Sequence, residues 1–320
     1  MMDRLLTAIS TRESLRRRIT PMVRAYLRYG PSSAGKWEFW NRVASPYFAW
    51  HPYEFEASTL FGSRIGGNTT DLIQNFIYYF GLWEPQLTYW IWNRLAKGGV
   101  FVDVGANIGY FTLLASRRLG TRGSVVAVEA SPRTFEFLQA NVNRNQASNV
   151  RAVNVAAADR PGVLTLYRAP DSNIGMTGLV KQAEFEVEAE VPAASLSALL
   201  RPEEIERARI IKIDVEGAEG SVLAGAASLL EHGRPDLEWI VEVHPKLLEQ
   251  QGGCAEDVIR TFAAAGYHAY RLNDDFILPN EYPRQAAVAP VRLAEPVREE
   301  TTLIFSRTDA ECLPAGPESE

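Results

Sequence analysis

The sequence predicts an α/β fold in which a mostly parallel sheet carries helices on both faces. Three observations predict it. From about residue 81, short apolar runs of strand length alternate with amphipathic stretches of helical length. The first run, Val100 to Val104, passes directly into a glycine turn and a helical stretch. The second, Val125 to Val128, ends on an acid, Glu129. Strands separated by helices of about 10–15 residues need crossover connections, which leave the strands parallel and both sheet faces covered.

Residues 1–80 read as a helical and irregular N-terminal extension. Asp3 to Tyr29 has a helical pattern, with Leu5, Leu6, Ile9, Leu15, Ile19, Val23 and Leu27 set among arginines 4, 12, 16, 17, 18, 24 and 28, and Pro21 is expected to interrupt it. Such a basic amphipathic helix packs its apolar side on the domain or on a second subunit, or lies peripherally on an anionic membrane surface. The oligomeric state is left open. Residues 31–70 hold glycine, serine, proline and aromatics at no clear period and read as irregular.

Residues 81–308 form the expected core domain. After the first strand and its glycine turn, Tyr110 to Leu119 is helical, with Gly120 as its stop. Ser131 and Pro132 open the next helix, on which Phe135, Leu138 and Val142 share a face. Val150 to Val155 is a third strand. Val163 to Tyr167 and Glu184 to Val191 alternate and predict an antiparallel elaboration. Ile210 to Val215 resumes the core rhythm, followed by a helix over about Glu216 to Leu230. Trp239 to Val243 is a strand and Ala255 to Ala265 a helix ending at Gly266. Tyr267 to Leu272 and Thr301 to Ser306 are the last strands, and the proline- and acid-rich stretch 309–320 is expected to be disordered.

Composition narrows the class. An apolar fraction of 46% supports a sizeable core, and a net charge of −6 gives no global positive field to recruit nucleic acid. Cys254 and Cys312 make no disulfide framework, as expected in a reducing compartment. The apolar run Leu72 to Trp83 contains Gln74, Asn75 and Gly81 and is too short to span a bilayer. The N-terminus shows no signal-peptide pattern, so a cytoplasmic protein is expected.

In an open parallel sheet, ligands bind beyond the C-terminal ends of the strands. Asp103 to Gly109 lies at the first such end: Gly105 allows a tight turn, and Gly109 allows helix and ligand to approach. Glu129, ending the next strand, suits a ribose diol. A dinucleotide fingerprint needs GxGxxG, but here the second glycine position is Asn107 and the last is Tyr110, and Asp103 would face a diphosphate. Two carboxylates suit a cationic nucleoside instead, and S-adenosylmethionine, with its positive sulfur and ammonium, fits. A nicotinamide-dependent oxidoreductase and a non-catalytic binding module on the same fold are the rival readings.

Five segments together carry a resemblance: Gly81 to Pro85, Phe101 to Thr112, Val128 to Pro132, Ile211 to Glu219 and Trp239 to Pro245. Over roughly residues 68–306 the chain resembles the FkbM family of methyltransferases. The resemblance implies a Rossmann-like, seven-stranded methyltransferase sheet, with S-adenosylmethionine held by Asp103 to Gly109 and Glu129. It also implies O-methylation of sugar, glycolipid or polyketide-type hydroxyls. Glu84 lies in the matching segments and reads as a contact to the donor's amino or ribose groups, or as a helix-entry acid beside Pro85.

Asp214, Glu216 and Glu219 follow the fourth core strand, and Glu242 and His244 the fifth, so all are expected near the same edge. His244 reads as the base for a hydroxyl, since imidazole exchanges protons near neutral pH. Asp214 or Glu216 reads as an alternative base, or as the group that orients the histidine or the acceptor. Glu216 and Glu219 are expected to share a helix face. The carboxylates also suit a divalent metal such as magnesium, although their spacing names none. Asn173, in the polar loop Ser172 to Thr177, is expected to close over the acceptor or to be plain surface. The acceptor reads as a small molecule or glycosyl group, and an amine in place of the hydroxyl stays open.

Overall fold

The computed structural model describes residues 6–7, 9–30, 35–96, 98–272 and 288–314. Helix α1 (Glu13–Tyr29) runs unbroken through Pro21, contrary to the expected interruption. Its stripe Thr20, Val23, Leu27 is buried against the rest of the chain, and tertiary packing outweighs the missing N–H. Arg24 donates to the Tyr78 carbonyl at 2.7 Å, Arg16 to that of Ser10 at 2.9 Å, and Arg28 to that of Ser58, so part of the basic face is turned inward. Residues 3–5 and 8 of the expected helix lie outside the described residues.

Residues 31–70, read as irregular, carry more structure than expected. Helix α2 (Lys36–Phe39) widens into π-type turns over Trp40–Ala49, and strands β1 (Glu54–Ser58) and β2 (Arg64–Asn68) pair as an antiparallel hairpin. The wide turns bury Trp40, Ala44, Phe48 and Ala49. The apolar run 72–83 becomes helix α3 (Leu72–Phe80), stopped by Gly81 in the left-handed conformation. Among the described residues no helix is long and apolar enough to cross a membrane.

From here the chain follows the predicted alternation. Helix α4 (Pro85–Arg94) precedes β3 (Gly99–Val104), followed by α5 (Tyr110–Leu119), β4 (Gly123–Val128), α6 (Pro132–Arg144) and β5 (Val150–Val153). The third strand is shorter than expected, because Ala156–Ala158 leaves the main sheet as β6. It joins β7 (Gly162–Arg168) and β8 (Glu186–Ser195), the expected antiparallel pair. Next come α7 (Leu196–Leu199), α8 (Pro202–Arg207) and β9 (Ala208–Ile213). The single helix expected over 216–230 is instead a turn and two helices, α9 (Glu219–Ala224) and α10 (Ala227–His232). Gly217 sits at φ 96°, and a Cβ on Gly225 would stand 2.0 Å from the Ala158 carbonyl, so a close approach to β6 divides the segment. Strand β10 (Glu238–Val243), α11 (Pro245–Gln250), α12 (Ala255–Ala264), β11 (His268–Arg271), β12 (Val291–Arg292) and β13 (Thr301–Ser306) complete the order.

The main sheet has eight strands in the order β12-β11-β13-β10-β9-β3-β4-β5, where seven were expected; the extra one is the two-residue edge strand β12. Strands β3, β4, β5, β9 and β10 are parallel, and β13 is inserted antiparallel between β10 and β11. The strand order reverses at β3 and β9, which makes the space beyond their C-terminal ends the switch-point crevice. Alternate side chains divide the core between the two faces. Phe101, Ile210, Ile240 and Ile304 join Trp40, Phe76 and Tyr79 of the extension. Val102, Val104, Ile211 and Val241 face the opposite layer with Phe262. Residues 1–80 thus complete one face of the domain.

The stretch from Asp309, expected to be disordered, is docked as far as Leu313. Asp309 pairs with Arg292 at 2.7 Å, the Leu313 N–H donates to the Pro290 carbonyl at 2.9 Å, and Leu313 is fully buried. One apolar side chain among acids is enough to dock it. Residues 315–320 lie outside the described residues.

At the N-terminal edge of the sheet, Arg94 at the end of α4 holds Glu238 at the start of β10, with nitrogen–oxygen distances of 2.7 and 2.8 Å, both side chains buried. Arg209 adds a third contact at 2.9 Å. Arg94→Ala leaves the buried Glu238 with the Arg209 contact alone, so it is expected to lower the unfolding free energy by at most about 3–5 kcal/mol in urea titration.

Candidate active site

A cleft of about 1180 Å³, its open mouth included, occupies the switch-point crevice. Its floor is the turn after β3. Gly105 stands at φ 81°, where a Cβ would lie 1.7 Å from the Asp214 carbonyl oxygen, so only glycine lets the ends of β3 and β9 close on each other. Asn107 follows at φ 49°, its backbone N–H donating to Glu129 Oε2 at 2.8 Å and its Oδ1 accepting from the Ile108 N–H. Glu129 Oε1 accepts from the Ser131 N–H at 2.9 Å. Two backbone donors therefore fix the carboxyl at the cavity wall. Burial nevertheless pushes it up to about 7, against the pull of those donors.

Gly109 has a different role from the one expected. It is the N-cap residue of α5 at φ 91° and does not line the cavity; a Cβ there would meet Leu138 Cδ1 at 2.7 Å, so the glycine serves helix packing. Asp103 also lies behind the wall. It is buried, accepts from Thr112 Oγ1 at 2.6 Å, and leaves Oδ1 without a hydrogen bond among the described residues. The expectation that Asp103 touches the ligand is corrected accordingly: β3 alternates its side chains, and Asp103 falls on the inner face beneath the turn.

The acids expected at the ends of β9 and β10 are brought together. Glu84, Glu129, Asp214, Glu216, Glu242, His244 and Glu300 all line the cleft. Asp214 accepts from Lys212 Nζ at 2.7 Å. Glu216 occupies the left-handed turn at φ 53° and therefore does not share a helix face with Glu219. Glu219 folds under the same turn, accepting from the Gly217 N–H at 2.9 Å, and does not line the cleft. Burial, with Asp214 and Glu300 nearby, pushes Glu216 up to about 9, and burial raises Glu242 well above the usual carboxyl range. A proton-bearing Glu216 is a hydrogen-bond donor, which suits the orienting role read for it rather than the role of a base. His244 Nε2 lies 3.6 Å from Glu300 Oε2, and Nδ1 is buried without a hydrogen bond among the described residues. Glu84 opens α4 at φ 39° without a side-chain cap bond. Of the non-glycine residues with positive φ, Glu84, Asn107 and Glu216 line the cleft, and backbone strain of this kind gathers at functional sites. Among the described residues, no three histidine, cysteine or acidic side chains stand close enough together to hold a metal ion.

Sequence reasoning missed Lys212 and Glu300. Lys212 had a signal, a lone charge within the apolar run 208–213. Glu300 had none: it reaches the cleft because β13 runs antiparallel, bringing the residue before Thr301 to the C-terminal edge of its neighbours. The loop Asn173 to Leu179 lines the cleft together with Leu72, Ile73 and Trp83 of the extension and α4 approach.

A switch-point cleft of nucleoside size on a parallel sheet with one antiparallel insertion is the Rossmann-like methyltransferase architecture. The comparisons with known proteins agree. Residues 103–269, just over half of the sequence, match the methyltransferase FkbM domain, and the chain belongs to the FkbM methyltransferase family. It is similar to Methyltransferase 1 of Beauveria bassiana, 30% identical over 39% of this chain and 57% of that protein. It is 27% identical to the 31-O-demethyl-FK506 methyltransferase FkbM of Streptomyces tacrolimicus over 61% of this chain and 82% of that protein. It is 29% identical to the hexuronic acid methyltransferase AglP of Haloferax volcanii over 46% and 58%. The chain spans 57% and 62% of the first curated relatives it matches.

Burial holds Glu129 and Glu219 up at about 7 and Asp103 at about 6. Carboxyls raised by folding contribute stability that is complete below their unfolded values and lost as pH rises through the folded ones. The thermal midpoint is therefore expected to fall between about pH 5 and pH 7.5. Glu129→Gln is expected to flatten that fall, by at most about 1.4 kcal/mol per pH unit. Thermal unfolding of both proteins across this range checks it.

Proposed function

We propose that the protein transfers a methyl group from S-adenosylmethionine to a hydroxyl of a small-molecule or glycosyl acceptor. One observation carries the reading: among the described residues six carboxyl side chains line the cleft, and no lysine or arginine does. Burial first, and then the neighbouring acids, raise Glu129, Glu216 and Glu242, and a cationic guest would offset both effects. When bound, the donor supplies the methyl group on a positively charged sulfur that leaves without further activation. Family membership supports the reaction class, and the relatives' printed names support oxygen and glycosyl acceptors.

Glu129 would hold the ribose hydroxyls, since each of its oxygens keeps a lone pair beyond the backbone donors. Gly105 would let the nucleoside lie against the backbone. Asp214, hydrogen-bonded by Lys212 Nζ at 2.7 Å, and Glu84 would face the donor's positive groups. His244 would accept the proton of the acceptor hydroxyl at Nε2, with Glu300 stabilising the imidazolium. Leu72, Ile73, Trp83 and Ile174 would exclude water and orient the acceptor, and orientation is the larger share of the catalysis here, up to about 7–11 kcal/mol.

Calorimetry should find S-adenosylmethionine and S-adenosylhomocysteine bound by the wild type and weakened about tenfold to a hundredfold in Glu129→Gln, the loss of charge-assisted hydrogen bonds. Tight binding of NADH with none of either adenosyl compound would reverse the reading in favour of an oxidoreductase. In His244→Gln, affinity for S-adenosylhomocysteine should be unchanged while methyl transfer to a hydroxyl acceptor falls about 10²–10⁴-fold. Undiminished turnover would remove the histidine from the mechanism.

A further inference from the structure

The loop 172–178 covers the cleft but belongs to the β7–β8 connection, far in sequence from the segment it lies against. Inside itself it is held lightly: the Met176 N–H donates to the Asn173 carbonyl at 3.3 Å and Thr177 to Ile174 at 3.1 Å. Tyr167 and Gly178 exchange backbone bonds at 2.9 and 3.1 Å and the Ala169 N–H donates to Thr177 Oγ1 at 3.1 Å, which ties the loop to its own hairpin; its side-chain tie to the extension is one carboxylate. Asp71 is the N-cap residue of α3 and is buried; Oδ1 accepts from the Gln74 N–H at 2.9 Å, and Oδ2 accepts from the Ile174 N–H at 2.9 Å. Beside it the Leu72 N–H donates to the Ser172 carbonyl at 2.9 Å. Gly175 then passes so close that a Cβ there would stand 3.0 Å from Ile73 Cδ1 and 3.2 Å from Asn107 Nδ2. The same loop therefore touches the extension on one side and the glycine turn on the other.

A helix cap needs only one side-chain oxygen. A serine or asparagine would cap α3, and the second oxygen of Asp71 is the one that accepts from the loop. We infer that Asp71 is a positioning residue for methyl transfer: it clasps the loop 172–178 onto the N-terminal extension and so fixes the wall of the cleft formed by Ile174 and Gly175. The extension thereby becomes part of the site. Because Gly175 also lies against Asn107 of the glycine turn, variation in residues 71–73 would change how both donor and acceptor are held. The inference rests on the methyl-transfer reading for its purpose, though not for its geometry.

Asp71→Ser separates the two bonds, because a hydroxyl can cap α3 but is too short and too poor in acceptors to reach Ile174 as well. Hydrogen exchange in the unliganded protein should show the Ile174 amide and its loop neighbours exchanging about tenfold faster or more, with residues 72–80 and the thermal midpoint close to wild type. Asp71→Ala, which also loses the cap, should add faster exchange at Gln74 and a lower midpoint. S-adenosylhomocysteine should then bind several-fold more weakly to Asp71→Ser than to wild type. An Ile174 amide as protected in the serine variant as in wild type would overturn the clasp. So would a serine variant indistinguishable from alanine at both Gln74 and Ile174. A loosened loop with unchanged S-adenosylhomocysteine affinity would overturn its role in the site. Wild-type protein that binds no S-adenosylhomocysteine would instead count against the methyl-donor reading and leave the exchange result standing.

Discussion

One buried ammonium group holds the centre of this structure. Lys212 lies in β9, its Nζ 2.7 Å from Asp214 Oδ2, and it is paired in register with Asp103 on β3. Burial would pull its pKa down, but the carboxylates of Asp214, Asp103, Glu84 and Glu242 push it up, so it remains a cation at the switch point. Its side chain also stands over the Phe111 ring, 5.1 Å from the centroid. A charge in the interior is tolerated only when paired and hydrogen-bonded. Here the pairing joins the two strands between which the cleft opens. Asp103, expected to face the ligand, contributes from behind by balancing this lysine.

That internal balance explains the uneven charge of the cleft. Lys212 neutralises part of the Asp103–Asp214 pair from inside the wall, while Glu129, Glu216 and Glu242 line the cleft with no lysine or arginine beside them among the described residues. Their carboxyls rise together because each is desolvated and hears its neighbours. A cationic ligand would lower all of them at once, so binding would be coupled to proton release. The cleft is in this sense incomplete electrostatically, and its incompleteness matches the charge of the donor proposed for it.

Much of the architecture was legible in the chain. Val100 to Val104, the glycine turn, Tyr110 to Leu119 and Val125 to Glu129 stand where the pattern put them, because local period and turn chemistry depend on neighbours in sequence. The same holds for the Ser131–Pro132 helix start, where Ser131 Oγ accepts from the Thr134 N–H at 3.1 Å. Glu129 at the cavity followed from its place at the end of the second strand, on the ligand-binding edge of the sheet. What misled the pattern was local geometry under tertiary constraint. Pro21 sits within an intact helix because packing holds it, the 216–230 helix is broken because Gly225 meets β6, and Leu313 docks a tail that composition alone marks as free.

The sequence by itself determined the fold class, the family, and the two turns that carry Gly105, Asn107 and Glu129, since each follows from spacing along the chain and the chemistry of adjacent residues. Only the tertiary structure decided which acids face the cleft and which lie behind it. Asp103 and Asp214 look alike as strand-end carboxylates, yet one is sealed beneath the turn and the other opens onto it. Glu300 and Asp71 entered the account only through an antiparallel insertion and a loop folding back across 103 residues. Those contacts depend on distance in space, and a one-dimensional pattern contains no measure of it.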